Sequence, residues 1–192
     1  MMSDAHQPIT WQRLAVILTL WSFAYACYRA YYAAGGSFGM IGVPVSTTQF
    51  RAINAFGAAV ILLAAAAPIV AMRVHAVRRA LPALCWIAAV GCCMHALVDI
   101  TLRVLSLNGV HPTQLPATVW LSFDRHAADM QDLLVNEPWF LTEGLLWGAL
   151  GVAIVQPSRR RAWITTAAVG CILLTVAGVL SGLGVIGSFT VG

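Results

Sequence analysis

Residues 52–72 read AINAFGAAVILLAAAAPIVAM, with one amide, one proline and no charge. An apolar helix of about 20 residues crosses the roughly 30 Å of a bilayer's hydrocarbon. In lipid there is no water for the backbone, so every N–H and C=O must pair inside the protein. A helix does this alone. A barrel strand needs neighbours and alternates apolar with polar residues over about ten positions. The run VILLAAAAPIV (60–70) does not alternate, so the stretch reads as a membrane helix.

Working outward, four more stretches have the same character: 12–34, 82–107, 138–156 and 163–188. The expected fold is all-α, a polytopic membrane helix bundle of five transmembrane helices forming a single membrane domain over 1–192. Composition agrees. Of 192 residues, 60% are hydrophobic and 9% charged, and the mean hydropathy is +0.82. Soluble domains carry about 25% charge and about 45–50% apolar residues. An ordinary soluble enzyme, a disordered chain and a nucleic-acid binder are therefore excluded. All 11 basic residues are arginine, which excludes a lysine Schiff base and a P-loop lysine.

Arginines also set the expected orientation. Arg73, Arg78 and Arg79 follow the second stretch, and Arg159, Arg160 and Arg161 precede the fifth. Basic residues in short loops stay cytoplasmic. Both clusters then face inward, the N-terminus is cytoplasmic and the C-terminus outside, in a bacterial cytoplasmic (inner) membrane. Arg51 and Arg125 are the exceptions. Ala24-Tyr25-Ala26 before Cys27 resembles a signal-peptidase site, but only Arg13 precedes the apolar run, which continues to Ala34; an uncleaved span is expected.

Several chemistries lack their residues. Cys27, Cys85, Cys92, Cys93 and Cys171 all fall in predicted spans and form no C-x-x-C, so they read as small buried hydrophobes. The zinc-finger, H-E-x-x-H, G-x-S-x-G and Walker patterns are missing. The segment GGSFG (35–39) reads as a turn closing the first span. His75 and His95 differ in depth, which disfavours haem. No cofactor and no metal are expected; Asp124, His126, Asp129 and Asp132 are poorly spaced for a metal site on one face.

The informative residues are polar ones inside spans, because each is expensive there unless it faces the bundle and finds a partner. Arg29 lies in the first span and Asn54 starts the second. His95, Asp99 and Arg103 follow an i, i+4, i+8 pattern on one face of the third, and Glu143 is in the fourth. The orientation places this set in the outer part of the membrane, with His95 a turn deeper. Asp99 and Arg103 are spaced for an ion pair, and Arg29 with Glu143 is the expected interhelical pair. All four tyrosines fall in the first span. Tyr31 reads as an interfacial belt residue, and Tyr32 as either a belt residue or a hydrogen-bond donor to the cluster. Two roles stay open for the set: an ion-pair network that fixes packing, or a pocket that binds a ligand or relays a proton.

Between the third and fourth spans, Val119, Trp120, Phe123, Ala127, Met130, Leu133 and Leu134 recur at helical spacing. The expectation is an amphipathic helix over about 117–135 on the outer surface, with Asp124, Asp129 and Asp132 largely toward solvent. Gly144-x-x-x-Gly148 and Gly178-x-x-x-Gly182 permit close helix approach, within the chain or in a homo- or hetero-oligomer.

Two resemblances follow. Tyr31-Tyr32-Ala33-Ala34-Gly35-Gly36 with Gly39, then His95 and Asp99, then Glu137-Pro138-Trp139-Phe140 with Gly144 and Trp147-Gly148, resemble a group of small bacterial multi-pass membrane proteins of unknown function. The likeness covers roughly 13–155; Tyr32 stands where that group usually has tryptophan. It implies a fold and a membrane, and no activity. His95, Asp99, Pro138-Trp139-Phe140 and Glu143 are also similar in order to the emopamil-binding superfamily of sterol isomerases and ligand-binding proteins. Here only one span follows Glu143, unlike that layout. This likeness implies that such a constellation can hold an apolar ligand with a polar handle.

The leading expectation is a membrane protein that binds a small hydrophobic or lipid-like ligand, or a partner, through Arg29, Tyr32, Asn54, His95, Asp99, Arg103 and Glu143. The alternatives are an intramembrane enzyme using Glu143 or Asp99 as acid/base with His95 in support, and a structural or accessory subunit.

Overall fold

The computed structural model describes residues 7–187, with side-chain exposure from residue 11 onward. Ser188, the expected end of the fifth span, and the two chain ends named in the expected orientation lie outside the described residues. The elements run α1 (Gln7–Ala33), β1 (Gly42–Pro44), α2 (Thr47–Ala71), α3 (His75–Leu107), β2 (Trp120–Phe123), α4 (Arg125–Gln131), a π-helical turn (Asp132–Asn136), α5 (Glu137–Ile154) and α6 (Pro157–Gly182).

Four helices are long and apolar enough to cross a membrane: Trp11–Ala33, Thr47–Ala71, His75–Leu107 and Pro157–Gly182. The remaining long helix, α5, is the shortest at 18 residues and carries Glu137 and Glu143. Both are buried, so the protein interior receives them instead of lipid. Local signals fix the helix starts. The Ser46 side chain accepts from the Gln49 N–H at the head of α2, satisfying a donor that has no partner in its own helix. Pro138 and Pro157 sit in the first turns of α5 and α6, where a missing N–H costs nothing.

Packing is uneven along the bundle. The main pairs are α1 with α2 and α3 with α5; α1 also meets α5, and α6 lies on α3. The buried apolar cluster comprises Ala15, Leu18, Ala71, Leu81, Cys85, Ala89, Trp147 and Leu150. All of these belong to the half of the bundle nearest the arginine clusters. There the Arg78 guanidinium stacks over Trp11, and the Trp163 indole donates to the Pro82 carbonyl. Elsewhere large apolar side chains point outward: Phe56 and Leu63 are nearly three-quarters exposed, and no described residue of α6 is buried. Such a perimeter is a liability in water and is satisfied by lipid.

The glycine faces are used inside the chain. A Cβ at Gly144 would collide with Cys93 of α3, while Cβ atoms at Gly178 and Gly182 would press on Val98 and Leu102 of the same helix. Small residues here let α3 approach two neighbours closely.

The other end is capped by a two-stranded antiparallel sheet pairing Gly42 with Phe123 and Val43 with Ser122. Any side chain at Gly42 would strike β2. Arg51 donates to the Ala33 and Ala34 carbonyls and so closes the end of α1. The Tyr31 hydroxyl accepts from the Phe38 N–H, and the Tyr32 hydroxyl donates to the Phe38 carbonyl.

The single amphipathic helix expected over 117–135 is not present. Trp120–Phe123 is a strand, α4 has seven residues, and a π-helical turn leads into α5. Trp120 to Phe123 are mostly aromatic and apolar residues that suit a strand beside β1, and Asp124 then caps α4 by accepting from the Ala127 N–H. The polar face is also inverted: Asp129 is buried against α3, whereas Leu121 and Leu134 are exposed.

Gly144→Val is expected to lower the unfolding midpoint in detergent, with a cost of about 1–3 kcal/mol from overpacking. Gly91→Ala, where a Cβ meets open space, is expected to leave it unchanged or raise it. Equal midpoints for Gly144→Val and the wild type would contradict the close α3–α5 contact.

Candidate functional site

On α3, the i, i+4, i+8 spacing puts His95, Asp99 and Arg103 on one face. The π-helical turn brings Asp132 and Asn136 toward this face, and α5 adds Glu137 and Phe140. On the opposite side, α1 contributes Tyr25 and Arg29, and α2 contributes Phe56, Gly57, Val60 and Ile61. Together these residues line an open cleft of about 490 Å³. It lies beyond the apolar core, toward the sheet end.

Arg103 is the most heavily bonded group. Its Nε donates to Asp132 Oδ2 at 2.7 Å and its Nη1 to Thr113 Oγ1 at 3.0 Å. Asp99 and Asp129 each approach it at 3.9 Å. Asp129 is only 1% exposed and accepts from the hydroxyls of Ser106 and Thr113. Asn136 donates to the other Asp132 oxygen at 2.7 Å. A charge-assisted bond at 2.7 Å is strong, whereas partners at 3.9 Å contribute mainly long-range attraction.

Nearer the apolar-core end of α3 lies a second group. His95 Nε2 is 3.9 Å from Asp99 Oδ2 and 3.9 Å from Glu137 Oε1. One donor atom from each of the three residues lies within 4.8 Å of the others. The edge of Phe140 packs on the His95 ring, with centroids 4.8 Å apart. Glu137 is 2% exposed, yet its Oε2 has no hydrogen-bond partner among the described residues. A buried polar atom left unpaired costs about 1–3 kcal/mol, and more when charged.

The structure thus brings Arg29, His95, Asp99 and Arg103 to one cleft and leaves three expected site residues outside its lining. Glu143 is buried between α1 and α5 and accepts from the Ser22 hydroxyl at 2.8 Å. The expected Arg29–Glu143 pair is not formed. Ser22 precedes Arg29 by seven residues, a depth difference of about 10 Å along a helix. Arg29 makes no ion pair among the described residues and rests against Gly57. Asn54 is buried and donates to the Phe50 carbonyl of its own helix. Tyr32 is consumed by the turn at Phe38. Asp99 and Arg103 do approach each other, although Asp132 is the shorter partner.

Glu137, Asp132 and Asn136 were not among the expected site residues. Glu137 was visible only as the first residue of the segment Glu137-Pro138-Trp139-Phe140 and was counted with the outer connection. The Asp residues of that connection were assigned to solvent. No protein-family model, curated protein or solved structure matches the chain.

Double-mutant cycles with Arg103→Gln are expected to give a coupling of about 1–3 kcal/mol to Asp132→Asn and under about 1 kcal/mol to Asp99→Asn, measured by chemical unfolding in detergent. The reverse order would contradict the geometry. In chelator-treated protein, Glu137→Met is expected to hold or raise the unfolding midpoint, since it removes a buried oxygen without a partner. A marked loss of stability would mean that Glu137 is bonded.

Proposed function

We propose that the chain is a five-span membrane protein, with α5 as the fourth span, that binds a small amphiphile in the cleft between α2 and α3. The two arginine clusters support placing the apolar-core end at the cytoplasmic face, which puts the cleft in the outer half of the bilayer. A bacterial cytoplasmic membrane is the location this reading proposes.

One observation carries the reading: the cleft is chemically two-sided. Phe56, Val60 and Ile61 offer an apolar wall, while His95, Asp99, Glu137 and Arg29 offer donors and acceptors within the same space. Ligand sites commonly combine a largely apolar lining with a few convergent polar groups. A molecule with a hydrocarbon chain and a hydroxyl or amine head matches both halves. A purely structural ion-pair network is less well supported. Such a network closes on itself, as Arg103 does with Asp132 and Thr113, whereas Glu137, which lines the cleft, keeps a buried oxygen without a partner among the described residues. An enzyme acting on a lipophilic substrate is the second reading. The proximity of a histidine and two carboxylates favours it, with Asp99, Glu137 and His95 as the groups placed to move protons and Glu143 set aside in its bond to Ser22.

A long-chain fatty alcohol bearing a diazirine tests the site. Illumination in lipid nanodiscs followed by peptide mapping is expected to label segments around Phe56–Ile61 and Glu137–Phe140, with competition by unlabelled alcohol. Phe56→Ala combined with Gly57→Leu, which fills the cleft from α2, is expected to reduce that labelling on the order of tenfold. Labelling spread evenly over the apolar perimeter, or unaffected by the α2 variant, would sink the reading.

A further inference from the structure

We propose that His95, Asp99 and Glu137 form a divalent transition-metal site at the polar end of the cleft. The inference concerns the protein alone and does not depend on the amphiphile.

Three independent features converge. The first is the donor set itself. One imidazole nitrogen and two carboxylate oxygens lie within 4.8 Å of one another, with both histidine–carboxylate distances at 3.9 Å. Ligands held about 2.0–2.2 Å from a zinc ion lie no more than about 4.4 Å apart. In a tetrahedral site such ligands lie about 3.3–3.6 Å apart, so the side chains close in by about half an ångström to somewhat over one ångström on binding. The second feature is Glu137, which is 2% exposed, lines the cleft and carries an oxygen without a partner. Oε1 is the oxygen that faces His95, so a cation chelated by both Glu137 oxygens supplies the partner that Oε2 lacks. The third is charge. Asp99, Asp129, Asp132 and Glu137 share this end of the bundle with Arg103 and Arg29. Of the two guanidiniums, only Arg103 pairs with these carboxylates among the described residues. Within the cleft lining the carboxylates Asp99, Asp132 and Glu137 outnumber the guanidiniums Arg29 and Arg103 by one, so a cation enters a net acidic setting.

The donor types narrow the metal. Imidazole with carboxylates favours zinc, manganese, iron or cobalt over calcium and magnesium, which take all-oxygen shells. Three protein ligands facing an open cleft leave coordination positions for water or a ligand oxygen, the arrangement of sites that do more than hold a fold together. Phe140 fixes the imidazole plane from the side. Arg103 holds Asp132 and attracts Asp99 without occupying the histidine.

The test uses the full chain in detergent with any affinity tag removed, stripped by chelator and equilibrated with ZnCl₂. Elemental analysis after gel filtration is expected to find one zinc per chain. His95→Ala and Glu137→Gln are each expected to weaken zinc binding by at least the 10–100-fold that losing an outer-shell partner already costs. His126→Ala, at an exposed histidine outside the cleft, is expected to bind as the wild type. Absence of binding by the wild type, or wild-type binding by both cleft variants, overturns the proposal. Should those variants fail to fold, the wild-type protein loaded with Co²⁺ decides. Visible d–d absorption displaced by zinc, without a thiolate charge-transfer band, supports nitrogen and oxygen ligation. No such absorption, or a strong thiolate band from the cysteines, overturns it.

Discussion

Arg103 is the charge around which the sheet end of this molecule is organised. It projects from the last two turns of α3 and binds Asp132 of the π-helical turn, with Thr113 and Asp129 completing its surroundings. Those contacts tie the long connection after α3 down onto α3 itself. In an apolar setting the alternative, a guanidinium without partners, is far more costly than the ordering of a few loop residues. The connection therefore turns its aspartates inward and leaves leucines facing out. Its short helix and π-helical turn present the aspartates that Arg103 engages.

A division of labour between the two ends follows. Small residues and interlocking side chains fill the end near the arginine clusters, where Leu18, Leu81 and Leu150 are fully buried. The opposite end is held by hydrogen bonds and ion pairs, and α2 stands away from α3 there. Rigid packing at one end lets the other keep an open, polar space without loss of the bundle. Open polar volume between membrane helices is costly, and here it lies beside a buried carboxylate oxygen without a partner among the described residues.

Much of this was legible in the sequence. Hydrocarbon thickness dictates the length of an apolar run, so the long helices announced themselves; α5 did too, despite its two glutamates. His95, Asp99 and Arg103 were legible as one face because their spacing follows helical geometry alone. Pairing between helices was not. Approximate depth matches Arg29 with Glu143, whereas the structure seats Glu143 on Ser22, about two turns from Arg29. Glu137 was hidden because an acidic residue just before a proline at a helix start ordinarily faces water. Asp129 and Asp132 were misassigned for a related reason: a polar stripe on an amphipathic segment normally points to solvent, and only the partner on α3 reveals the inversion.

The π-helical turn from Asp132 to Asn136 carries a consequence of its own. The Glu137 N–H bonds to the Asp132 carbonyl five residues back. In an ordinary α-helix, residues five apart point about 140° away from each other; the wider turn narrows that angle, so that Asp132 and Glu137 both reach the cleft. The single surplus residue acts as a phase shift between two helical segments. It lets one continuous stretch of chain serve two masters, with Asp132 engaged to a guanidinium and Glu137 left available. Lengthening or shortening the chain by one residue there would change no side chain's chemistry, yet would rotate one half of the constellation out of register with the other.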